Sequence, residues 1–272
     1  MQPLWRLSAS VILARPAAVG SGFEICLVKR VSSARIFPGM YVFPGGVYDE
    51  ADGSLEVCAL REVYEETGLF VPFLNDKKRV LNKWIPSREA VAKNASIFVE
   101  CLRRLGLLEY QLTRFGEFKT PVSEAQRTGR GFTTQFYISM INRISDGSPC
   151  MEETTDLKWL SIASALNDFG SLLHPPQLYM LNLLKRVQNF DEIPPESLII
   201  SESYLRYPIQ PVFIDRKVFV FPGDYRHPSK LRRPSNMKFI HFGVFGSPDM
   251  EISPKLREII ESCDEWIETS KL

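Results

Sequence analysis

The chain has 272 residues, 44% of them hydrophobic, and is therefore long and apolar enough to bury a full core. Its formal net charge of +1 supplies no basic field of the kind that nucleic-acid binding needs, so no nucleic-acid partner is expected. No run approaches the roughly 20 apolar residues that a membrane span requires. The five cysteines have an odd count and no C-x-x-C spacing, which argues against a disulfide framework.

The spacing of apolar residues predicts a mixture of strands and helices. Strands are expected at 6–14, 23–30, 111–119, 132–141 and 157–160. Helices are expected at 55–66, at 84–104, from Ser161 onwards and at 175–187. Ser87 is a candidate N-cap for the second helix, and the prolines at 175 and 176 suit the start of the last.

Three glutamates, Glu62, Glu65 and Glu66, follow Arg61 in the first predicted helix. Residues three and four apart share a helix face, so the three carboxylates would lie within reach of one cation. Such hard oxygen ligands suit Mg²⁺ or Mn²⁺, with waters and substrate phosphates completing the octahedron. Arg61 can pair with Glu65 one turn on and hold it in place. The pattern predicts a site for metal-assisted cleavage of a pyrophosphate.

The pair Gly45-Gly46 lies upstream of this helix. Without a Cβ, the backbone there can turn sharply and approach a phosphate or the helix start closely. A simpler interpretation of the glutamates is a solvated helix face that ends at Gly68, a common C-cap. The upstream glycines favour the metal site, as do the aliphatic residues on the other helix face, which are Leu55, Ala59, Leu60 and Val63.

Residues 45–69 resemble the box of the Nudix hydrolase family, G-x5-E-x7-R-E-U-x-E-E-x-G-U, where U is aliphatic. The resemblance implies an α+β Nudix fold, a mixed β-sheet between helices, and implies Glu66 as the safest metal ligand. One position departs from the box. Asp52 stands where the family usually has Glu, and eight residues rather than seven separate it from Arg61. The role of Asp52 stays open, with Glu50 as a possible substitute.

Further upstream, Arg30, Arg35, Gly39 and the Phe-Pro-Gly-Gly run at 43–46 resemble the extra signature of the coenzyme A diphosphatase branch. The two positions that do not match it are Val28 and Val31. Guanidinium groups bind phosphate oxygens in a forked geometry, so two arginines suit a ligand with a 3′-phosphate as well as a diphosphate. The alternative is that both arginines are surface charges at a strand end.

The acidic turn Glu152-Glu153 is a candidate source of a further carboxylate. Nudix enzymes often carry one at this place, where it takes a proton from water or holds a metal. The alternative interpretation, a charged hairpin turn, is about equally supported.

The expected organisation is a Nudix domain at 1–190 with a helical insertion near 84–104, followed by a C-terminal extension at 191–269. Short apolar runs at 198–200, 212–214, 218–221 and 239–245 would add strands to the extension, and 254–267 is an amphipathic helix candidate. The tripeptide Ser270-Lys271-Leu272 has the form of a peroxisomal address, which predicts an import receptor as partner and the peroxisomal matrix as location.

The resemblance, strongest through Gly68, extends over residues 5–188 to the peroxisomal coenzyme A diphosphatases of animals. It implies Mg²⁺- or Mn²⁺-dependent hydrolysis of CoA or acyl-CoA to adenosine 3′,5′-bisphosphate and 4′-phosphopantetheine or its acyl form. Two alternatives remain open at this point. One is an NADH or nucleotide-sugar pyrophosphatase with the same metal site, and the other is a Nudix-derived binding module that does not hydrolyse.

Overall fold

The computed structural model describes residues 4–18, 22–35, 37–71, 84–107, 112–121, 125, 129–141, 146–185, 209–213, 218–220 and 240–242. The described strands are β1 (Leu4–Pro16), β2 (Phe23–Arg30), β3 (Tyr41–Val42), β4 (Gly45–Val47), β5 (Thr113–Lys119), β6 (Arg130–Met140), β7 (Thr154–Leu160), β8 (Val212–Phe213), β9 (Val218–Val220) and β10 (Ile240–Phe242). The described helices are α1 (Leu55–Thr67), α2 (Arg88–Lys93), α3 (Ala95–Leu105), α4 (Ile162–Phe169) and α5 (Pro175–Leu184).

Within the described residues, seven strands form one mixed sheet in the order β3-β2-β1-β6-β5, with β4 paired to β1 and β7 paired to β2. The central pair, β1 and β6, is parallel from Leu4 opposite Arg130 to Ala14 opposite Met140. The strands paired with β2 run antiparallel to it. A long central strand with a partner on each side is expected to be buried on both faces.

Helices cover both faces of this sheet. Alternate residues of a strand point to opposite faces, so each face contributes side chains to its own core. In β1, Ile12 and Ala14 pack into a core with α4 and α5, whereas Val11 and Leu13 pack into a second core with α1, α2 and α3. The arrangement confirms the predicted α+β sandwich.

The helix that carries the three glutamates has well-defined ends. The Ser54 hydroxyl accepts a hydrogen bond from the Val57 N–H at its start, as an N-cap does. At its end Gly68 adopts φ 72°, and its N–H donates to the Tyr64 carbonyl. A residue with a Cβ would be strained in this left-handed conformation, so Gly68 fixes where α1 stops.

The single helix predicted at 84–104 is wrong in one respect, because the chain forms two helices that break at Asn94. Asn94 has extended angles, φ −154° and ψ 103°, and its side chain accepts a hydrogen bond from the Ser96 N–H. Asparagine competes with helical backbone bonding through such local contacts, which makes it a better cap than an interior residue. The predicted N-cap at Ser87 is confirmed, since its hydroxyl accepts from the Ala90 N–H.

Parts of the predicted C-terminal extension are described. Strands β8, β9 and β10 fall within three of the predicted apolar runs and form a small antiparallel sheet. Ile209 is buried and joins the edge of the main sheet, because its N–H donates to the Glu117 carbonyl over 2.7 Å and its carbonyl accepts from the Lys119 N–H over 2.9 Å.

The predicted strand at 198–200, the predicted helix at 254–267 and the tripeptide Ser270-Lys271-Leu272 lie outside the described residues. The division of the chain at residue 190 stays a prediction. No helix in the part of the chain that the structure describes is both long enough and apolar enough to cross a membrane.

Candidate active site

Arg61 is the centre of a buried polar cluster on α1. Its Nε and Nη2 both donate to the Asp52 carboxylate, over 2.7 and 2.9 Å, and Nη2 also reaches the Val47 carbonyl over 3.2 Å. Nη1 donates to Glu62 and to Glu65, over 3.0 Å each. A guanidinium has five N–H donors, so each can have an acceptor although the residue is only 5% exposed. Arg61 therefore fixes the positions of three carboxylates.

The role that sequence left open for Asp52 is a structural one in this arrangement. Asp52 is buried in a short 3-10 turn (Glu50–Asp52), where its carboxylate also accepts from the Asp49 N–H over 2.9 Å. Both of its oxygens are engaged by Arg61. Glu50 is exposed in the same turn. Asp52 therefore holds the arginine that holds Glu62 and Glu65.

The two glycines upstream of α1 make close approaches, but to the Glu62 side chain and to strand β1 and not to the helix start. A Cβ on Gly46 would collide with the Glu62 carboxylate, so only glycine leaves room for that side chain. A Cβ on Gly45 would come within 2.6 Å of the Ser10 Cα on β1. The Gly45 N–H donates to Glu66 Oε2 over 2.9 Å. The glycine pair thus shapes the space around two of the three glutamates.

The solvated-face alternative is wrong for Glu62 and Glu66, which are 8% and 2% exposed. Burial raises the pKa of Glu62 to about 8, against the opposing influence of Arg61. Burial also raises the pKa of Glu66 well above its ordinary range, and the nearby Glu62 charge adds to that rise. The pKa of Glu65 is raised by burial as well. Buried carboxylates this close favour their neutral forms unless a positive charge is added.

In the described residues, no group of three or more His, Cys, Asp or Glu side chains lies close enough together to hold a metal ion. In this arrangement Arg61 binds Glu62 and Glu65, while the Gly45 N–H donates to Glu66. The residues nonetheless fit a divalent cation. The Glu62 carboxylate packs directly against Gly46, and a cation would favour ionisation of carboxylates whose burial opposes it.

The two signature arginines, Arg30 and Arg35, differ in burial and in position. Arg30 is half-buried at the end of β2, and its positive charge acts to lower the pKa of Glu66. The same charge, after burial, lowers the pKa of His174, whose ring packs on Phe37 from the signature loop. Arg35 is exposed. Arg30 therefore lies beside the candidate site, and Arg35 lies on the surface of the loop that follows.

Of the two acidic residues in the turn before β7, Glu153 acts on the site. Its charge contributes to the raised pKa of all three box glutamates, Glu62, Glu65 and Glu66. Its carbonyl also accepts from the Val31 N–H over 2.9 Å, which ties the turn to the residue after Arg30. Both Glu152 and Glu153 are exposed in this turn.

Sequence reasoning missed Arg88, which lies at the start of α2. Its Nε and Nη2 donate to the Glu65 carbonyl over 2.9 and 2.7 Å, and its Nη1 donates to the Ser148 carbonyl over 3.0 Å. Its partners lie 23 and 60 residues away and are mainly backbone oxygens, with the Ser148 hydroxyl as a further acceptor. Backbone acceptors are the same at every position, so no sequence pattern could have indicated them.

Comparisons with known proteins agree with this geometry. A family model described as the NUDT19 Nudix domain matches residues 52–184. Acyl-coenzyme A diphosphatase NUDT19 of Xenopus laevis is 25% identical to the chain, covering 76% of this chain and 72% of that protein. A putative nudix hydrolase 7 of Caenorhabditis elegans is 26% identical, covering 82% of this chain and 75% of that protein.

Among solved structures, a NUDIX hydrolase from Alicyclobacillus acidocaldarius is similar in fold, with a TM-score of 0.58 and 22% identity. The match covers 70% of this chain and 95% of that one. The chain belongs to the Nudix hydrolase family and is a Nudix diphosphatase, a hydrolase that acts on acid anhydrides. Its Nudix domain is of the NUDT19 type. Hydrolases of this family generally use divalent metal ions.

Proposed function

We propose that the protein hydrolyses the diphosphate of CoA and acyl-CoA to adenosine 3′,5′-bisphosphate and 4′-phosphopantetheine or its acyl form. The observation that carries this proposal is the set Glu62, Glu65 and Glu66 on α1, of which Glu62 and Glu66 are buried and Glu65 is half-buried. Arg61 binds Glu62 and Glu65, and the charge of Arg30 acts on Glu66. Similarity to acyl-coenzyme A diphosphatases over more than two thirds of the chain supports the substrate class.

In this proposal Glu62, Glu65 and Glu66 hold Mg²⁺ or Mn²⁺. The cation would neutralise charge on the diphosphate and lower the pKa of the attacking water. Arg61 keeps Glu62 and Glu65 in position, and the Gly45 N–H orients Glu66. Catalysis here depends on carboxylates that are positioned before the substrate arrives, since reorganising them would raise the barrier.

Glu153 is the proposed acceptor of the proton that water releases. It comes from a different element than the metal-binding glutamates, and its charge already acts on all three of them. A carboxylate with access to water can take that proton and pass it to solvent. Glu152, its neighbour in the turn, is the alternative acceptor.

Arg30 and Arg35 are the proposed contacts for phosphate groups of the substrate. CoA carries a 3′-phosphate that NADH and ADP-ribose lack, so a second cationic group beside the diphosphate site gives selectivity for CoA. Charge-assisted hydrogen bonds to phosphate are stronger than neutral ones. Arg30 is the better placed of the two, since its charge reaches Glu66.

Product analysis by mass spectrometry tests the reaction. The purified protein would be incubated with Mg²⁺ or Mn²⁺ and with CoA, acyl-CoA, dephospho-CoA, NADH and ADP-ribose in parallel. We expect adenosine 3′,5′-bisphosphate from CoA to appear fastest. Faster release of AMP from NADH or ADP-ribose would replace this proposal with the pyrophosphatase alternative. Absence of any product would favour the non-hydrolysing binding module.

Substitution of Arg30 tests the substrate class. We expect Arg30→Ala to lower kcat/KM for CoA by about 10- to 100-fold, because a charge-assisted contact is lost. The loss for dephospho-CoA should be much smaller. Arg103→Ala, which removes an exposed arginine of α3, is the matched control and should change neither value. Equal losses on the two substrates after Arg30→Ala would contradict a role in binding the 3′-phosphate.

The proposed compartment is the peroxisome, on the strength of Ser270-Lys271-Leu272. A fluorescent protein fused to the N-terminus should colocalise with a peroxisomal marker. Cytosolic fluorescence of the intact fusion would contradict this assignment.

A further inference from the structure

The C-terminal end of α1 has an unusual set of partners. The last four carbonyls of a helix receive no hydrogen bond from within the helix itself, so donors elsewhere must satisfy them. The first of the four, on Tyr64, accepts from the Gly68 N–H in the cap. The next, on Glu65, accepts two hydrogen bonds from Arg88 of the insertion, through Nε and Nη2.

The final two carbonyls of α1 bind the segment 146–154 that leads into β7. The Thr154 hydroxyl donates to the Glu66 carbonyl over 3.3 Å, and the Ser148 N–H donates to the Thr67 carbonyl over 2.8 Å. The contact is close, since a Cβ on Gly147 would come within 2.8 Å of the Thr67 carbonyl oxygen. The carbonyls of Glu66 and Thr67 thus hold a segment that is distant in sequence.

Arg88 joins the two halves of this contact. The same guanidinium that binds the Glu65 carbonyl donates from Nη1 to both the carbonyl and the hydroxyl of Ser148, over 3.0 and 3.2 Å. The insertion is itself tied to α1, because the Tyr64 hydroxyl donates to the Pro86 carbonyl over 2.6 Å. Arg88 therefore spans α1 and the 146–154 segment from a third element.

We infer that Arg88 is a positioning residue of the active site, which clamps the 146–154 segment to α1 so that Glu153 faces the box glutamates. The inference rests on the proposed function, because it assigns Glu153 a part in that reaction. Arg88 acts from outside the site, through the Glu65 carbonyl and the carbonyl and hydroxyl of Ser148, and does not contact the reacting groups. It gives the insertion near 84–104 a role in catalysis.

Lysine cannot replace arginine in this role. Two nitrogens of one planar fork bind the Glu65 carbonyl while the third binds Ser148, and a lysine ammonium is a single point of contact. We therefore expect Arg88→Lys to behave like Arg88→Gln. A role that required only positive charge would be retained by lysine.

The test compares Arg88→Gln with Arg104→Gln, which removes an exposed arginine from α3 in the same insertion. We expect Arg88→Gln to lower kcat by about 10- to 100-fold, as loss of an outer positioning contact does, with KM changed less than about threefold. Arg104→Gln should leave both constants unchanged. Hydrogen–deuterium exchange should speed up in 146–154 only in the Arg88 variant.

A double-mutant cycle with Glu153→Gln separates positioning from general stabilisation. If Arg88 acts through Glu153, Arg88→Gln should cost far less in the Glu153→Gln background than in the wild type. Fully additive losses, full activity in Arg88→Lys, or unchanged exchange in 146–154 would overturn the inference while wild-type hydrolysis still supported the proposed function. A wild-type protein that hydrolysed no diphosphate would overturn the proposed function and this catalytic role together.

Discussion

Two helices of this protein carry an arginine paired with a glutamate at the same spacing, yet the two pairs have different surroundings. In α1, Arg61 binds Glu65 over 3.0 Å, and in α3, Arg104 binds Glu100 over 2.7 Å. Both pairs are four residues apart. The Arg61 side chain is 6% exposed, whereas that of Arg104 is 64% exposed.

The difference in burial reverses the direction of the pKa shifts. Burial raises the pKa of Glu62, the other partner of Arg61, to about 8. Hydrogen bonds from Arg103 and Arg104 lower the pKa of the exposed Glu100 to about 2. An arginine contact alone therefore does not decide the state of a glutamate. Only the buried group is poised to bind a cation, because it needs additional positive charge to ionise.

The largest expected effect is on catalysis. We expect Glu66→Gln to lower kcat about 1,000-fold or more, since it removes a carboxylate that would stabilise charge in the transition state. Glu100→Gln on α3 should have no effect. Circular dichroism should give the same spectrum for both variants. Near-normal turnover by a folded Glu66→Gln protein would contradict the proposed mechanism.

The second effect is on stability. Arg61→Met should lower the free energy of unfolding by about 3–5 kcal/mol, because Asp52 and Glu62 lose a buried partner. Arg104→Met should change it little, since exposed ion pairs contribute little. Urea denaturation without added metal measures both. Similar midpoints for the two variants would mean that burial does not distinguish these arginines.

A third expected effect concerns the packing of Gly46 against the Glu62 carboxylate. Gly46→Ala should lower kcat about 10- to 100-fold, because the new Cβ would displace the Glu62 carboxylate. Gly170→Ala is the matched control, since a Cβ there meets no atom within 4 Å. Steady-state kinetics should separate the two variants. Equal activity would show that the position of Glu62 has no effect on the rate.

The smallest expected effect is the pH dependence of stability without metal. Glu62 has a higher pKa in the folded protein than in the unfolded chain, so its contribution is fully present below about pH 4.5 and is lost as pH rises through about 8. The wild-type melting temperature should therefore fall between pH 7 and 8.5, and Glu62→Gln should reduce that fall. Buried His174 has a lowered pKa and affects a more acidic range.

Local patterns in the sequence predicted α1, its Gly68 cap and the pairing of Arg61 with Glu65, because a helix, a C-cap and an i,i+4 pair depend on residues close along the chain. The break at Asn94 was not predicted, since Asn94 lies in a continuous helical pattern and its extended backbone and side-chain contact become visible only in the structure. The pairing of Asp52 with Arg61 needed the short turn that brings them together.

The assignment of Arg30 and Glu153 to the site also depended on three-dimensional structure. Arg30 and Arg35 are equivalent by sequence, and the end of β2 places one by Glu66 and leaves the other exposed. Glu152 and Glu153 are adjacent, and the hydrogen bond from the Val31 N–H to the Glu153 carbonyl fixes which way the turn lies. Such choices depend on tertiary contacts that single-sequence patterns do not encode.

The central claim is that burial raises the pKa values of the α1 carboxylates and that a bound divalent cation lowers them again. Isothermal titration of Mn²⁺ into the metal-free protein at pH 7, in buffers of different ionisation enthalpy, counts the protons released on binding. We predict that binding releases about one proton or more, because the ligands must ionise. Glu66→Gln should bind more weakly, and Glu100→Gln should match the wild type. Absence of binding, or binding without proton release, would contradict the claim.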